Sequence, residues 1–228
     1  TIKIQDPLTG ADKVLEHTEE YFVANPVLQV QSASVQALYL NCGNELQINC
    51  PALGTEYDPK FTASGGSTSP GAKKGQVTVV PTTPKVILTV SSGGTKIDAL
   101  EFKVRKIPKP EIVALNGSKP VDEKRGVKAP GPRSINMKAV SDESLKAFLP
   151  KDARYKVTSW EATLVRGKRP VEKKTFTSET GNFSSFASKA KSGDRILIEV
   201  KQVKRLNFKG QTETVNVGLV LKNIPLTD

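Results

Sequence analysis

The sequence predicts an all-β chain of two tandem antiparallel β-sandwiches, immunoglobulin-like in kind, with a short helix in the second. Short runs from "VLQVQ" at residue 27 to "TVNVGLVL" at residue 214 alternate apolar and polar residues with a period of two, as strands with one wet face do. Turn-rich stretches such as "PALGTEYDP" and "TASGGSTSPGAKKG" separate these runs at the spacing of a sandwich. In mid-chain, at residues 101–113, the strand "EFKVR" runs directly into Pro-Lys-Pro.

In chain order, residues 1–20 are acidic and weakly patterned, and "VLEHTEEY" is their only candidate helical turn. They read as a linker or the end of a preceding domain. Residues 21–107 form the first sandwich through "SVQALYL", "ELQINC", "QVTVV", "KVILTVSS" and "LEFKVRK". In "NCGNELQINCP", Leu46, Ile48 and Cys50 share a face, while Cys42 precedes a Gly-Asn turn. A disulfide between Cys42 and Cys50 and a pair of buried free thiols both stay open, because sequence separation does not fix the geometry a bridge needs. At the end of this domain Glu101, Lys103 and Arg105 alternate with Phe102 and Val104. Pro108 and Pro110 then remove two backbone donors, which makes residues 108–110 a stiff, extended hinge.

Residues 111–228 form the second, basic sandwich through "RSINMKAV", "RYKVTSWEATLVRG", "DRILIEVKQVKR" and "ETVNVGLVLKN". Val215, Val217, Leu219 and Leu221 fall on one face of the last run. Trp160 alternates with Ala162 and Leu164 and reads as core. A helix is expected at "SDESLKAFLP", capped by Ser141, with Asp142 and Glu143 at its positive end and Pro150 ending it.

The net charge of +11 resides in the second half: residues 1–107 hold ten basic and ten acidic side chains, residues 108–228 hold 24 and 13. Such a balance suits nucleic acid, an anionic membrane surface, an acidic protein partner or a plain solvated face. Aromatic residues are 6% and, Phe208 apart, do not cluster with the basic runs, so a protein partner is preferred to nucleic acid. The loop-like basic clusters supply the candidate contacts: Lys124, Arg125, Lys128, Arg166, Lys168, Arg169, Lys173 and Lys174. In "VKQVKRLNFK", Lys201 and Arg205 point one way and Lys204 the other, offering charge on both sides.

Little points to catalysis. The one histidine, His17, lies in the acidic leader, zinc-ligand spacing is absent, and "TASGGSTSPGAKKG" lacks the spacing of a phosphate-binding loop. Asp122/Glu123 and Asp142/Glu143 have ordinary turn and helix-start roles. No catalytic, cofactor or metal residue is expected. No apolar run approaches the roughly 18 residues of a membrane span. The chain begins without Met, so an anchor upstream stays open.

The run "YFVANPVLQVQSASVQALYLNCGNELQINCPALG" resembles a segment of the GldM/PorM family, in which a strand after a Pro leads to a Leu-Tyr pair, a Gly-Asn turn and a Pro-x-x-Gly close. "FKVRKIPKPEIV" is similar to that family's Phe-Arg-Val-Lys-x-Ile-Pro-x-Pro junction, and "KSGDRILIEVKQVK" to its Gly-Asp turn and following strand. These motifs span residues 21–204 in the family's order, and none is catalytic. Cys42 and Cys50 depart from the pattern. The resemblance implies the C-terminal periplasmic part of an inner-membrane-anchored subunit of the type IX secretion and gliding-motility machinery. It further implies a homodimer, joined through an N-terminal part to a proton-driven motor subunit of the GldL/PorL type. The far end would meet the outer-membrane-associated ring lipoprotein and its companion, of the PorK/PorN type. "IPKP" would then be the joint between two shaft domains. The competing reading is a secreted adhesin or carbohydrate-binding β-module, which needs exposed aromatic side chains for sugar rings.

Overall fold

In the computed structural model, which describes residues 2–5, 7–10, 12–15, 19, 26–32 and 37–228, the alternating runs become strands. The first half forms β1 (Ile2–Gln5), β2 (Asp12–Leu15), β3 (Gln29–Ser32), β4 (Leu38–Tyr39), β5 (Asn44–Asn49), a 3-10 segment (Pro51–Glu56), β6 (Pro59–Ser64), β7 (Gly66–Pro70), β8 (Gln76–Pro81), β9 (Lys85–Ser92) and β10 (Thr95–Arg105). The second half forms β11 (Glu111–Asn116), β12 (Lys119–Pro120), β13 (Val127–Lys128), β14 (Ser134–Val140), α1 (Glu143–Phe148), β15 (Arg154–Arg166), β16 (Arg169–Phe176), β17 (Thr180–Asn182), α2 (Ser184–Lys189), β18 (Arg195–Leu206), β19 (Thr212–Val215) and β20 (Val220–Thr227).

β1 and β2 pair as a separate antiparallel hairpin. Val14 and Leu15, expected in a helical turn, are therefore extended; His17 and most of that expected turn lie outside the described residues. The first sandwich packs sheet β3-β5-β8-β7 against sheet β4-β10-β9-β6. Alternation places Leu46, Ile48, Val77 and Val79 of one sheet and Val86, Leu88 and Val90 of the other in one core. β6 runs into β7 at Gly65, whose φ of +83° and 2.3 Å clearance between an added Cβ and the Lys85 carbonyl oxygen require glycine. There the chain changes sheet.

In the second sandwich, sheet β12-β11-β14-β17 faces sheet β13-β20-β18-β15-β16, with β19 pairing β18 beside β20. Trp160 is fully buried at its centre: its ring lies 4.3 Å from that of Phe176 and its indole N–H donates to the Ser178 carbonyl at 2.7 Å. The expected helix forms as α1, but Asp142 rather than Ser141 caps it. An extended ψ of 138° turns the Asp142 carboxylate onto the Leu145 N–H at 3.1 Å, while the Ser141 hydroxyl bonds the Asp142 carbonyl. The short α2, not expected from the sequence, buries Phe186.

Two further expectations change. "TVNVGLVL" is not one strand: Asn216 accepts the Gly218 N–H at 3.0 Å, Gly218 has φ +76°, and the chain breaks between β19 and β20. Val215 and Val217 pack on the core, whereas Leu219 and Leu221 are exposed. In β18 a register shift opposite Ser159 inverts the alternation. Ile196, Ile198 and Val200 are buried before it, and Val203 and Arg205 after it. Arg205 is thus interior rather than a wet-face charge. Cys42 and Cys50 are buried free thiols, the second of the two alternatives for this pair.

Gly181 lies under the tryptophan, where an added Cβ would sit 2.6 Å from the Trp160 ring. Gly181→Ala should therefore lower the urea-unfolding stability by about 1–3 kcal/mol through overpacking. An unchanged midpoint would show that the ring has room to move.

Candidate functional site at a buried joint and a basic tip

The turn between β4 and β5 meets the second domain and is built by Asn44. This buried side chain accepts the Tyr39 N–H at 2.8 Å and donates to the carbonyls of Tyr39, Cys42 and Val79 at 3.0, 2.9 and 3.1 Å. Asn41 adopts φ +55°, a left-handed conformation that Asn tolerates. The turn thereby presents the Gly43 N–H and the Cys42 sulfur outward from the first sandwich.

From the other side, Asp152, just before β15, accepts the Gly43 N–H at 3.0 Å and the Phe208 N–H at 3.1 Å. Arg205, only 2% exposed, sends Nη1 to the Cys42 sulfur at 3.2 Å and Nη2 to Glu213 at 2.7 Å. Its Nη1 also stands 3.6 Å from Asp152. Asn207 completes the group by donating to the second Glu213 oxygen at 2.7 Å. Apolar contact seals the joint: Leu145 and Leu149 of the α1 region cluster with Tyr39 and Cys42, and Ile107, Ala153 and Tyr155 pack against them. Phe208 lies over Gly43, where an added Cβ would be 2.6 Å from its ring, so the one aromatic near the basic runs is used within the chain. Pro110 is buried and Pro108 half-buried. An exposed ion pair, Lys151 with Glu45 at 2.9 Å, spans the same seam.

Burial and the nearby Asp152 charge push the Cys42 thiol up to about 11, so it stays protonated and inert. Burial also raises the Asp152 carboxyl above its ordinary value, against the two N–H groups and Arg205 that favour its charge. Burial opposes the Glu213 charge as well, but Arg205 and Asn207 outweigh it and hold that carboxyl low. These groups form a lock of one cation held between two carboxylates, with no nucleophile among them poised for reaction.

The opposite end of the second domain is basic. β15 has 13 residues, so its ends are about 40 Å apart. At the joint end Arg154 pairs with Leu206; at the far end Arg166 faces Arg169, Val165 faces Arg195, Arg195 faces Pro225 and Leu226 faces Val127. That register brings Lys128, Arg166, Lys168 and Arg169 to one end of the sheet, across about 20 Å. Lys128, Lys168 and Arg169 are exposed and have no ion-pair partner among the described residues. Arg195, which opens β18, and Arg133, just before β14, stand at the same end and were not among the candidate contacts read from the sequence.

Other candidates have internal roles. Arg166 clasps the buried Asp194 with two bonds of 2.8 Å. Lys173 pairs with Glu161 at 3.0 Å, Lys174 with Glu172 at 3.8 Å and Arg125 with Asp122 at 3.8 Å. Lys124 lies next to Arg125 in the turn that leads into β13, the edge strand opposite β16.

The family model described as the GldM C-terminal domain matches residues 108–227, and that of the GldM third domain matches residues 27–105. The chain belongs to the GldM family. The two GldM matches meet at the segment that carries Ile107 and Pro108. The family is a structural component of type IX secretion and gliding motility, and its C-terminal domains lie in its periplasmic region. Among the described residues no helix is long and apolar enough to cross a membrane. No curated protein matches the chain. Among solved structures, the Yersinia pseudotuberculosis adhesin InvE is 12% identical with a TM-score of 0.27, over 89% of this chain and 58% of that one. Domains 5–6 of the S-layer protein SbsC are 13% identical with a TM-score of 0.26, over 90% of this chain and 100% of that one. Likenesses this distant carry no weight for fold or function.

Arg205→Met leaves Asp152 and Glu213 without their cation and should destabilise the chain by about 3 kcal/mol, read by urea unfolding. A second expectation concerns pH. The Arg166 bonds hold the Asp194 carboxyl below its ordinary 3.8, so the clasp stabilises the fold above that value and is lost as pH falls through the depressed one. The stability gap between wild type and Asp194→Asn should be full at neutral pH and close in acid below about pH 4. A gap independent of pH would show that the charge of Asp194 is irrelevant.

Proposed function

We propose that this chain is a stiff periplasmic shaft segment of the type IX secretion system, acting as a homodimer and carrying no active site. It links an inner-membrane proton-driven motor subunit of the GldL/PorL type to the outer-membrane-associated ring lipoprotein and its companion of the PorK/PorN type. The observation that carries this reading is the locked joint. Both sandwiches have their own cores, yet a buried Arg205–Asp152–Glu213 group and an apolar cluster hold them together, where a bare linker would leave them free to rotate. Free rotation would dissipate torque; a fixed angle passes it on.

The free cations at the far end support docking there on an acidic protein surface. Arg166 belongs to the clasp with Asp194, so the contact falls to Lys128, Lys168 and Arg169. The adhesin reading has weaker support, since buried Trp160 offers no platform for a sugar ring.

The test is binding of the chain to the purified ring lipoprotein complex as ionic strength is raised. Affinity should fall by about tenfold between low and physiological salt, and the triple change of Lys128, Lys168 and Arg169 to Glu should abolish binding without unfolding the domain. A folded wild-type dimer that binds the ring at no salt concentration would overturn the docking assignment.

A further inference from the structure

Near the joint one stretch of β15 is left open. β18 pairs with β15 from Arg154 to Val165, whereas β16 begins to pair only at Trp160, opposite Phe176. Residues 154–158 therefore have β18 on one side and no described strand on the other, which leaves a row of backbone donors and acceptors available. On the outward face of this stretch Lys156 stands directly opposite Lys204. Like charges directly opposed across a ladder are destabilising. Neither lysine has an acidic partner among the described residues.

The same face treats its other lysines differently. Lys173 meets Glu161 at 3.0 Å, and Lys201 meets Glu199 and Glu161 at 2.7 and 3.3 Å. The edge of β16 is also guarded, by Pro170 and an irregularity at Leu164/Val165, as protected edges are. Around the lysine pair lies an open depression of about 460 Å³ that Tyr155, Thr158, Leu206 and Thr212 also line. Arg154 adds a third cation, tied by its guanidinium to the carbonyls of Lys151 and Asn207 rather than to a carboxylate.

We infer that residues 154–158 receive an acidic, extended segment of a partner protein, which adds a strand to this edge and sets its carboxylates against Lys156 and Lys204. Backbone pairing supplies affinity and the lysine pair supplies selectivity for acidic side chains. The surface is distinct from the basic tip, and the inference does not depend on ring docking.

The probe is a fluorescent peptide of about eight residues alternating Glu and Thr, with a Gln-for-Glu peptide as its control, titrated into the whole chain at constant ionic strength. The acidic peptide should bind, slow amide exchange at 154–158, and lose about tenfold in affinity for Lys156→Gln/Lys204→Gln. That variant removes the repulsion, so its melting temperature should not fall below wild type. Lys168→Glu/Arg169→Glu should bind within about twofold of wild type. Equal binding of the Gln peptide, equal loss in the tip variant, no binding, or binding only to phosphatidylglycerol vesicles would each overturn the inference.

Discussion

A single buried guanidinium organises the meeting of the two domains. Taking the Arg205 charge out of water is costly unless anions and acceptors surround it, and these come from separate parts of the chain: Asp152 before β15, Glu213 in β19, and the Cys42 sulfur from the first sandwich. Each is positioned by a feature close in sequence, namely the end of α1, the Asn207 turn and the Asn44 turn. The joint therefore forms only when both sandwiches are folded and correctly apposed. Its apolar seal, with Leu145 and Leu149 against Tyr39 and Cys42, keeps water from competing for the same groups.

Charge is used in two ways across the second domain. On the sheet faces several lysines meet carboxylates, as Lys201 meets Glu199 and Lys173 meets Glu161. Exposed pairs of this kind contribute little to stability, so their effect is mainly to keep the faces neutral. Among the described residues, cations without a carboxylate partner include Lys128, Lys168 and Arg169 at the far end of the sheet and Lys156 on the open edge of β15. The end that meets the first sandwich places its buried charges in internal contacts, whereas the far end, about 40 Å away, carries these exposed ones.

Strand identity was legible because burial follows a period of two: Val77/Val79, Val86/Leu88/Val90 and Trp160/Ala162/Leu164 all lie inside as their spacing indicates. What escaped were places where something nonlocal resets that period. The irregularity opposite Ser159 inverts the alternation within β18, and nothing near Val200 in the sequence announces it. The Arg205 and Asp152 partnership joins residues 53 apart, and Arg205 meets Cys42 across 163 positions, so no local pattern reveals them. The division of the basic clusters is hidden for the same reason. Arg166 and Lys168 look alike in "VRGKR", and only the fold sets Asp194 beneath the first.

The most direct test of a locked joint uses its two thiols. Cys42 lies in the joint and Cys50 lies outside it, at the end of β5, and both are buried. Thiol labelling of the native protein should modify Cys42 as slowly as Cys50, each at the rate of global unfolding, because the joint opens only when the domains do. Rapid modification of Cys42 while Cys50 stays protected would mean that the domains part in the native state, and would contradict the account.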